Sequence, residues 1–452
     1  MGKLKLSRFY NKHFLVLSGN GFNAVIGIAT SFILFHFLPM NDTGMWYIVQ
    51  SFVALCEASR YGFLATATVK FYAGTDAKRA ATVLGSVWFI AILLTAIVLI
   101  ANAGALFFLP FTTDKETILC IQWVGITYLS SLPADVIFWK LQAEERYGTM
   151  LWYRTVNSLS TIVAFVALIL LHKMTLENAL LWNFLTNILS SLIGIFCNMA
   201  GMKTIFSKTR ECVMEIFHYG KYTFGTTSFS VLLGNADTWI INYLLGPAAV
   251  AIYNLSQRLL PIIELPLRTF TTTGMSEMAI AYNKNNMHQV TYIFKKYSGM
   301  LTIAFIPLTI GALIFSDIAI NILGGAQYHG SIAPNLFRLF MIIALLYPID
   351  RFNGLALDMT HRTKVNFYKV IIMLVVKVVV NFGGIYMFKN ITGIQFPGLY
   401  GIALSYFLVT LSAIIYGNYQ LKKTLDYTIP GILSLGYSEM KTFIGQNLKF
   451  KR

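Results

Sequence analysis

The chain has 452 residues, of which 56% are hydrophobic and only 12% are charged, with a formal net charge of +16. A soluble domain carries roughly 25% charged residues, so this chain has too little charge to cover a surface exposed to water. These values exclude a chain that folds only into water-soluble domains. They favour a membrane protein, because a lipid-facing helix needs no polar exterior.

Twelve apolar stretches follow one another along the chain, near residues 14–38, 44–66, 80–109, 117–141, 151–171, 178–200, 222–245, 248–273, 297–322, 332–357, 366–388 and 397–420. Most have about the 20 residues that an α-helix needs to cross a bilayer. The first has no small-residue cleavage site, so we expect a membrane helix rather than a cleaved signal peptide. The predicted fold class is therefore all-α, a polytopic membrane protein with about twelve transmembrane helices.

Lys and Arg residues are unevenly divided between the two sides of the predicted membrane. The loops that follow the odd-numbered stretches contain only Lys115, Lys173 and Lys389, whereas the termini and the other loops contain most of the 35 basic residues. Basic loops stay on the cytoplasmic side, so both termini are predicted to be cytoplasmic. This topology accounts for the positive net charge, and no nucleic-acid partner is predicted.

The twelve stretches divide into two sets of six. We predict an N-terminal six-helix lobe at 1–200, a cytoplasmic connector at 201–221, a C-terminal six-helix lobe at 222–420 and a basic cytoplasmic tail at 421–452. Six helices per lobe give both lobes the same orientation, so an axis along the membrane normal should relate them. Two-lobed transporters of this kind hold their cargo near the bilayer midplane, at the interface between repeats.

Short motifs recur in the two predicted lobes. Glu57 falls on Glu264 at an offset of 207 residues, and Arg60 is one position out of register with Arg268. At an offset of 215 residues, Pro133-Ala134-Asp135 matches Pro348-Ile349-Asp350, and Trp152-Tyr153-Arg154 matches Phe367-Tyr368-Lys369. These matches predict an internal repeat.

Many ionisable residues fall inside the predicted membrane helices, although an Asp, Lys or Arg at a helix centre costs roughly 2.5–3.5 kcal/mol on insertion. The basic ones include Arg60, Arg258, Arg268, Arg338, Arg351 and Lys377, and the acidic ones include Glu57, Asp135, Asp237, Glu264 and Asp350. Such residues line a protein interior or a wet cavity. Two interpretations stay open: ion pairs that only hold helices together, and a charged transport path.

The spacing along the helices suggests partners for some of these charges. Glu57 and Arg60 are three residues apart, and Glu264 and Arg268 are four apart. Residues at these separations lie on the same face of a helix. Each pair is therefore expected to meet.

Other charges depend on neighbouring helices for their partners. Asp237 and Arg258 lie at similar depths, roughly 14 and 17 Å from the turn between two antiparallel helices, and are expected to pair. Lys377 has no acid nearby in sequence, so we expect it to be the most available contact for an anionic cargo. Asp135 lies toward the cytoplasmic end of its helix and Arg338 can snorkel to the outer interface. Neither is included among the candidate site residues.

No motif for catalytic or cofactor chemistry is found in the sequence. The four cysteines, Cys56, Cys120, Cys197 and Cys212, are scattered without metal-ligand spacing and fit the role of small apolar fillers. A GxxxxGK[ST] loop for ATP is missing. We predict no catalytic residue, no metal site and no cofactor. The short outside loops argue against a membrane-embedded polymerase or glycosyltransferase.

Several segments of the chain resemble a known transporter family. They are Tyr219-Gly220-Lys221 to Gly225, Asn235-Ala236-Asp237, Leu245-Gly246-Pro247, Ala251-Ile252-Tyr253 to Arg258, and Phe315 to Gly325 followed by Tyr328. The chain is similar to the Wzx-type polysaccharide flippases of the multidrug/oligosaccharidyl-lipid/polysaccharide (MOP) exporter superfamily over roughly residues 8–425. The resemblance implies two lobes arranged as in the MATE exporters.

The resemblance also implies a function. It implies that an undecaprenyl-diphosphate-linked oligosaccharide moves from the inner to the outer leaflet of a bacterial inner membrane by alternating access, driven by an H⁺ or Na⁺ gradient. In this hypothesis the diphosphate is bound by Arg60, Arg258, Arg268, Arg351 and Lys377. The charge-pairing or ion-coupling residues are Glu57, Asp237, Glu264 and Asp350. The implied partners are the lipid-linked oligosaccharide, membrane lipids and a glycan polymerase or glycosyltransferases of the same pathway.

A cation-coupled multidrug or small-molecule antiporter on the same scaffold stays open as the alternative. Such a protein would favour an acidic, aromatic cavity for cationic drugs. The slight excess of basic over acidic intramembrane residues favours an anionic cargo instead. The lipid II flippases of the superfamily typically have fourteen spans, whereas about twelve are predicted for this chain.

Overall fold

The computed structural model describes residues 12–111, 114–423 and 431–449. Every regular element in these ranges is helical, which confirms the predicted all-α fold class. The chain divides into two compact units, Met1–Thr238 and Trp239–Arg452. It passes from the first unit to the second inside one long helix.

The first six helices correspond one to one to the first six predicted stretches. They are α1 (Lys12–Phe37), α2 (Met40–Tyr72), α3 (Ala77–Leu106), α4 (Lys115–Ala143), α5 (Tyr147–Leu170) and α6 (Leu176–Phe196). The helix α7 (Arg210–Leu245) begins inside the segment predicted as a connector. It carries the chain into the second unit.

In the second unit, two predicted stretches are each broken in two, and in the eighth the prolines Pro261 and Pro266 favour a bend from sequence alone. The eighth forms α8 (Pro247–Gln257) and α9 (Pro261–Asn283). The break comes at Pro261, which has no amide hydrogen to continue the helical hydrogen bonds. The tenth forms α11 (Ala333–Ala344) and α12 (Tyr347–Met359), which meet at a 45° bend.

The remaining helices of the second unit are continuous. They are α10 (Met287–Gly324), α13 (Thr363–Phe388), α14 (Leu399–Lys422) and α15 (Ile432–Lys449). Pro307 lies inside α10 without ending it, as Pro133 does in α4. Pro348, the repeat counterpart of Pro133, instead lies in the first turn of α12, so the repeat is not exact at this point.

The helices differ in how apolar they are. Within the described ranges, α3, α4, α5, α6, α10, α13 and α14 are long and apolar enough to cross a membrane, and the bent pair α11–α12 can supply one more span. The helices α2, α7 and α9 have 33, 36 and 23 residues. Each can cross a hydrocarbon core of about 30 Å at ~1.5 Å per residue. Their greater polarity marks helices whose surfaces do not all face lipid.

The core of the first unit packs α2 against α3 and α4. Leu64, Trp88 and Trp139 are all buried there, and the Trp88 indole donates a hydrogen bond to the Ala200 carbonyl oxygen at 3.0 Å. Fully burying one large apolar side chain stabilises a fold by about 1.5–3 kcal/mol. Arg60 lies one helical turn before Leu64, so this core holds its backbone in place.

The segment predicted as a basic tail contains the helix α15, which packs on α10. The two helices cross at Gly299 and Gly436. A Cβ atom on Gly436 would lie 2.3 Å from the backbone carbonyl carbon of Gly299, so a larger residue does not fit there. Beside this crossing, Glu439 accepts a hydrogen bond from the Tyr292 hydroxyl at 2.8 Å and lies 3.7 Å from the Lys296 ammonium. The C-terminal segment is therefore anchored on α10.

Candidate functional site

Arg60 on α2 is completely buried in the first unit, and α4 supplies most of its partners. Its Nη2 lies 2.8 Å from the Asp135 carboxylate and donates to the Ser131 hydroxyl at 2.6 Å. Its Nη1 donates to the Tyr128 carbonyl oxygen at 2.8 Å and to the Thr95 hydroxyl at 3.2 Å. The guanidinium also lies over the Tyr128 ring, 3.8 Å from its centre. These contacts offset the cost of burying a charge.

Glu57, almost one turn before Arg60, belongs to the same cluster. Its carboxyl interacts with the Ser131 hydroxyl and lies near both Asp135 and Arg60. The predicted Glu57–Arg60 pair is not among the ion pairs of the described residues; Asp135 takes the place of Glu57, and the half-buried cluster contains two acids and one base. With both carboxyls ionised, the cluster has one negative charge left over, which is costly in such surroundings. The arrangement is chemically suited to hold a proton or a small monovalent cation.

The Pro-x-Asp motif of the second unit has a different partner. Asp350 lies 2.7 Å from the Nζ atom of Lys369, which also donates to the Asp350 carbonyl oxygen at 3.3 Å. Lys369 is buried, with 5% of its side chain exposed. One acid and one base make this pair neutral. In the first unit the counterpart of Lys369 is Arg154, whose guanidinium lies over the Phe138 ring at 4.1 Å.

Arg268 and Glu264 form an exposed ion pair on α9. Their side chains are 69% and 48% exposed, and Nη2 of Arg268 lies 3.0 Å from the Glu264 carboxylate. α9 packs against α10 and α12, helices that are apolar enough to span a membrane alone or as part of a bent pair. Arg351 on α12 is also exposed. Hydrocarbon cannot solvate such charges, so this face of α9 must meet water or a polar ligand.

The two units thus use matching charges in different ways. In the first unit, Arg60 turns inward to Asp135. In the second unit, Lys369 already neutralises Asp350, and Arg268 stays at the surface with Glu264 as its only ion-pair partner among the described residues. The two units therefore differ in their basic groups: Arg60 is buried in the first unit, and Arg268 is exposed in the second.

Comparison with known proteins identifies the family. A family model described as "Polysaccharide biosynthesis protein" matches residues 9–267, which is more than half of the chain. The chain belongs to the polysaccharide biosynthesis protein family. A second model, MatE, matches residues 223–382.

Solved transporter structures share the fold of this family member. An inward-facing MATE multidrug resistance transporter of the MOP superfamily is 16% identical, with 88% of this chain and 95% of that chain covered and a TM-score of 0.70. The lipid II flippase MurJ, in an inward closed conformation, is 14% identical, with 96% and 92% covered and a TM-score of 0.71.

A third solved structure is a MOP superfamily transporter from Pyrococcus furiosus, which is 15% identical, with 90% of this chain and 94% of that chain covered and a TM-score of 0.59. At such identities these likenesses show the fold and not the cargo. Among curated protein sequences, none matches the chain.

Three other predicted site residues of this family member lie in more enclosed places. Lys377, predicted as the most available contact for cargo, is 6% exposed. Its Nζ atom lies 4.8 Å from the centre of the Tyr406 ring, and the Tyr406 hydroxyl is 2.9 Å from that of Tyr253. Asp237 is fully buried, and Arg258 lies at the C-terminal end of α8 with its Nε atom buried. Their pairing stays a prediction.

Asp135 is the main cluster residue that the sequence analysis left out of the site. Its signal was present, because Tyr128, Ser131 and Asp135 follow at intervals of three and four residues and so share a helix face. Arg338, which was expected to snorkel to the outer interface, pairs with the Asp317 carboxylate and donates to the Asn335 amide oxygen at 2.6 Å, and its side chain stays 27% exposed.

Proposed function

We propose that this transporter is a flippase for an undecaprenyl-diphosphate-linked oligosaccharide, which it moves from the inner to the outer leaflet of a bacterial inner membrane by alternating access. The observation that carries the proposal is the exposed Arg268 on α9, in a chain of the polysaccharide biosynthesis protein family. A planar guanidinium can bind two phosphate oxygens at once. Arg351, exposed on the adjacent α12, adds a second positive charge.

The Glu264–Arg268 pair gives the proposed diphosphate site a resting state. An exposed ion pair contributes only about 0–1 kcal/mol, so its loss costs little. A diphosphate brings more negative charge than one carboxylate and can use both arms of the guanidinium fork. We therefore expect the cargo to displace Glu264, and Glu264 to recover Arg268 when the cargo leaves.

The proposal assigns ion coupling to the first unit. Glu57 and Asp135 outnumber Arg60 as charges in the half-buried cluster, which supports binding of H⁺ or Na⁺ there. Binding of one cation would complete the charge balance. Loss of that cation would leave a half-buried negative charge and favour rearrangement of α2 against α4.

The proposed location is the bacterial inner membrane, with both termini in the cytoplasm. The distribution of basic residues between the loops supports this orientation. Glycosyltransferases would supply the lipid-linked oligosaccharide, and a glycan polymerase would consume it. Alkaline phosphatase fused after Lys389 should be active, whereas the same enzyme fused after Lys422 should be inactive. The reverse pattern would overturn the orientation.

Surface-glycan display in a deletion strain tests the proposed function. Arg268→Glu should abolish display without lowering the amount of membrane-inserted protein, because the side chain is 69% exposed. Lys377→Glu should lower the amount of protein, because it buries an acid where 6% of the residue is exposed. Arg146→Glu is the matched control, since Arg146 is 50% exposed and pairs with Glu144 at 3.3 Å. Normal glycan display with Arg268→Glu would contradict the assignment of Arg268 to diphosphate binding.

A cation-coupled multidrug antiporter is the second candidate function. The surplus of carboxyl groups in the Glu57–Asp135 cluster favours it, because cationic drugs and coupling ions both need negative charge. In that case a deletion strain would become more susceptible to cationic drugs and keep its surface glycan. The flippase proposal expects the opposite pair of results.

A further inference from the structure

The exposed face of α9 carries a line of polar side chains, beside which Met275 is also exposed. Glu264, Arg268, Thr272 and Ser276 follow at intervals of four residues, and Thr269 and Thr273 flank them. All six are exposed. The opposite side of the helix, which includes Leu267, Gly274 and Met278, is buried. We call the six exposed residues the α9 polar face.

Each hydroxyl group of this face donates its hydrogen to the backbone of its own helix. Thr269 and Thr272 each donate to the carbonyl oxygen four residues earlier at 3.0 Å. Thr273 and Ser276 make the same bond at 3.4 and 3.5 Å. A hydroxyl has one hydrogen to donate and two lone pairs that accept. Each oxygen is therefore left as an acceptor toward the exposed side.

Hydroxyls bonded back to their own helix are also tolerated in lipid, so the threonines alone do not identify a ligand surface. The same face, however, carries Arg268 and Glu264, which are 69% and 48% exposed. Charged side chains on the lipid side of a span are expensive. The line of hydroxyls continues directly from these charges along one helix face, so it shares their polar surroundings.

The diphosphate and the sugars of a lipid-linked oligosaccharide need different partners on this face. A diphosphate has no hydrogen to donate, so acceptor oxygens offer it nothing, and only the Arg268 guanidinium suits it. Sugar hydroxyls and acetamido groups do donate, and they match a row of acceptors. Ser276 lies eight residues beyond Arg268, or about 12 Å along the axis at ~1.5 Å per residue. The face is therefore long enough to contact a glycan beyond its diphosphate.

We propose that the α9 polar face is the glycan-recognition surface of the transporter. Arg268 binds the diphosphate, and the Thr269, Thr272, Thr273 and Ser276 oxygens accept hydrogen bonds from the first sugars. This inference rests on the proposed flippase function and adds to it the residues that distinguish a glycosylated lipid from a bare one.

The test removes hydroxyls and keeps side-chain shape. The variant is the double substitution Thr272→Val and Ser276→Ala, with Arg268→Gln as a separate variant. Thr271→Val is the matched control, because the Thr271 hydroxyl donates in the same way to the Leu267 carbonyl oxygen at 2.6 Å but is half-buried, off the polar face. The three variants are purified at full length and compared with the parent for thermal stability.

Binding is measured with two probes, undecaprenyl diphosphate and undecaprenyl-diphosphate-N-acetylglucosamine. The double variant should bind the glycosylated probe roughly 30-fold more weakly, the effect expected for two lost hydrogen bonds of about 1 kcal/mol each, and bind undecaprenyl diphosphate as the parent does. Arg268→Gln should weaken both probes, and Thr271→Val should weaken neither.

The outcomes separate the inference from the proposed function. If the parent binds the glycosylated probe more tightly than the bare one, and the double variant keeps that preference, the glycan-recognition surface is overturned. If the parent binds neither probe, the flippase proposal itself fails. A loss of preference in Thr271→Val equal to that in the double variant would also overturn the inference, since the effect would not belong to the polar face.

Discussion

Removal of Arg60 should destabilise the first unit more than removal of its ion-pair partner Asp135. Arg60→Met leaves Asp135 and Glu57 together with no positive charge. Breaking a buried pair in this way costs about 3–5 kcal/mol. Because 31% of the Asp135 side chain is exposed, water relieves part of that cost, and we expect a value near the lower end, about 3 kcal/mol.

Asp135→Asn is the milder change. The amide oxygen can still accept a hydrogen bond from Arg60, and Glu57 is still available to balance the guanidinium. The expected loss is therefore about 1 kcal/mol, the difference between a hydrogen bond to a charged acceptor and one to a neutral acceptor. The asymmetry follows from the composition of the cluster, in which two acids share one base.

Thermal unfolding in detergent, followed by the fluorescence of the seven tryptophans, measures both effects. Arg146→Met serves as the control, because an exposed pair contributes about 0–1 kcal/mol and the Arg146 side chain is 50% exposed. Arg60→Met should lower Tm clearly more than Asp135→Asn, and the control should leave it nearly unchanged. Equal losses for Arg60→Met and Asp135→Asn would refute a cluster in which two acids surround one base.

Two further predictions concern the second unit. Lys369→Met should lower Tm strongly, by the equivalent of about 3 kcal/mol, because it strands Asp350, and adding Asp350→Asn should restore most of that loss; a double variant as unstable as the single one would contradict the pairing. Gly436→Leu should release α15 from α10, because no side chain fits beside Gly299, and limited proteolysis should then cut the C-terminal segment faster. Ser438→Leu, on the exposed side of α15, should leave the cleavage rate unchanged, and equal cleavage of both variants would count against the glycine crossing.

Much of the helical architecture was predictable from hydrophobicity. Apolar stretches of membrane length mark ten of the twelve predicted spans as single helices, because hydrocarbon imposes both length and composition on a span. The two breaks were harder to locate, although Pro261 and Pro266 favoured a bend in the eighth stretch. Pro261 ends α8 while Pro266 sits inside α9 and Pro133 inside α4, so proline alone does not say which helix is interrupted.

The partners of the charges were less predictable. Spacing correctly brought Arg268 to Glu264, which lie on one helix. It could not find Asp135 for Arg60, because that contact joins α2 and α4 across a long separation in sequence. The position of Lys377 shows the same limit, since the absence of a nearby acid in sequence suggested an available amine, and the helix packing instead buried it against Tyr406.

The most direct test of the proposed function is the position of the lipid-linked oligosaccharide in spheroplasts of a deletion strain. A lectin that cannot cross the membrane should label this glycan when the parent gene is supplied. Without the gene, or with Arg268→Glu, the lipid-linked glycan should accumulate and stay unlabelled until the spheroplasts are lysed. Equal labelling of intact spheroplasts with and without the gene would contradict the flippase assignment.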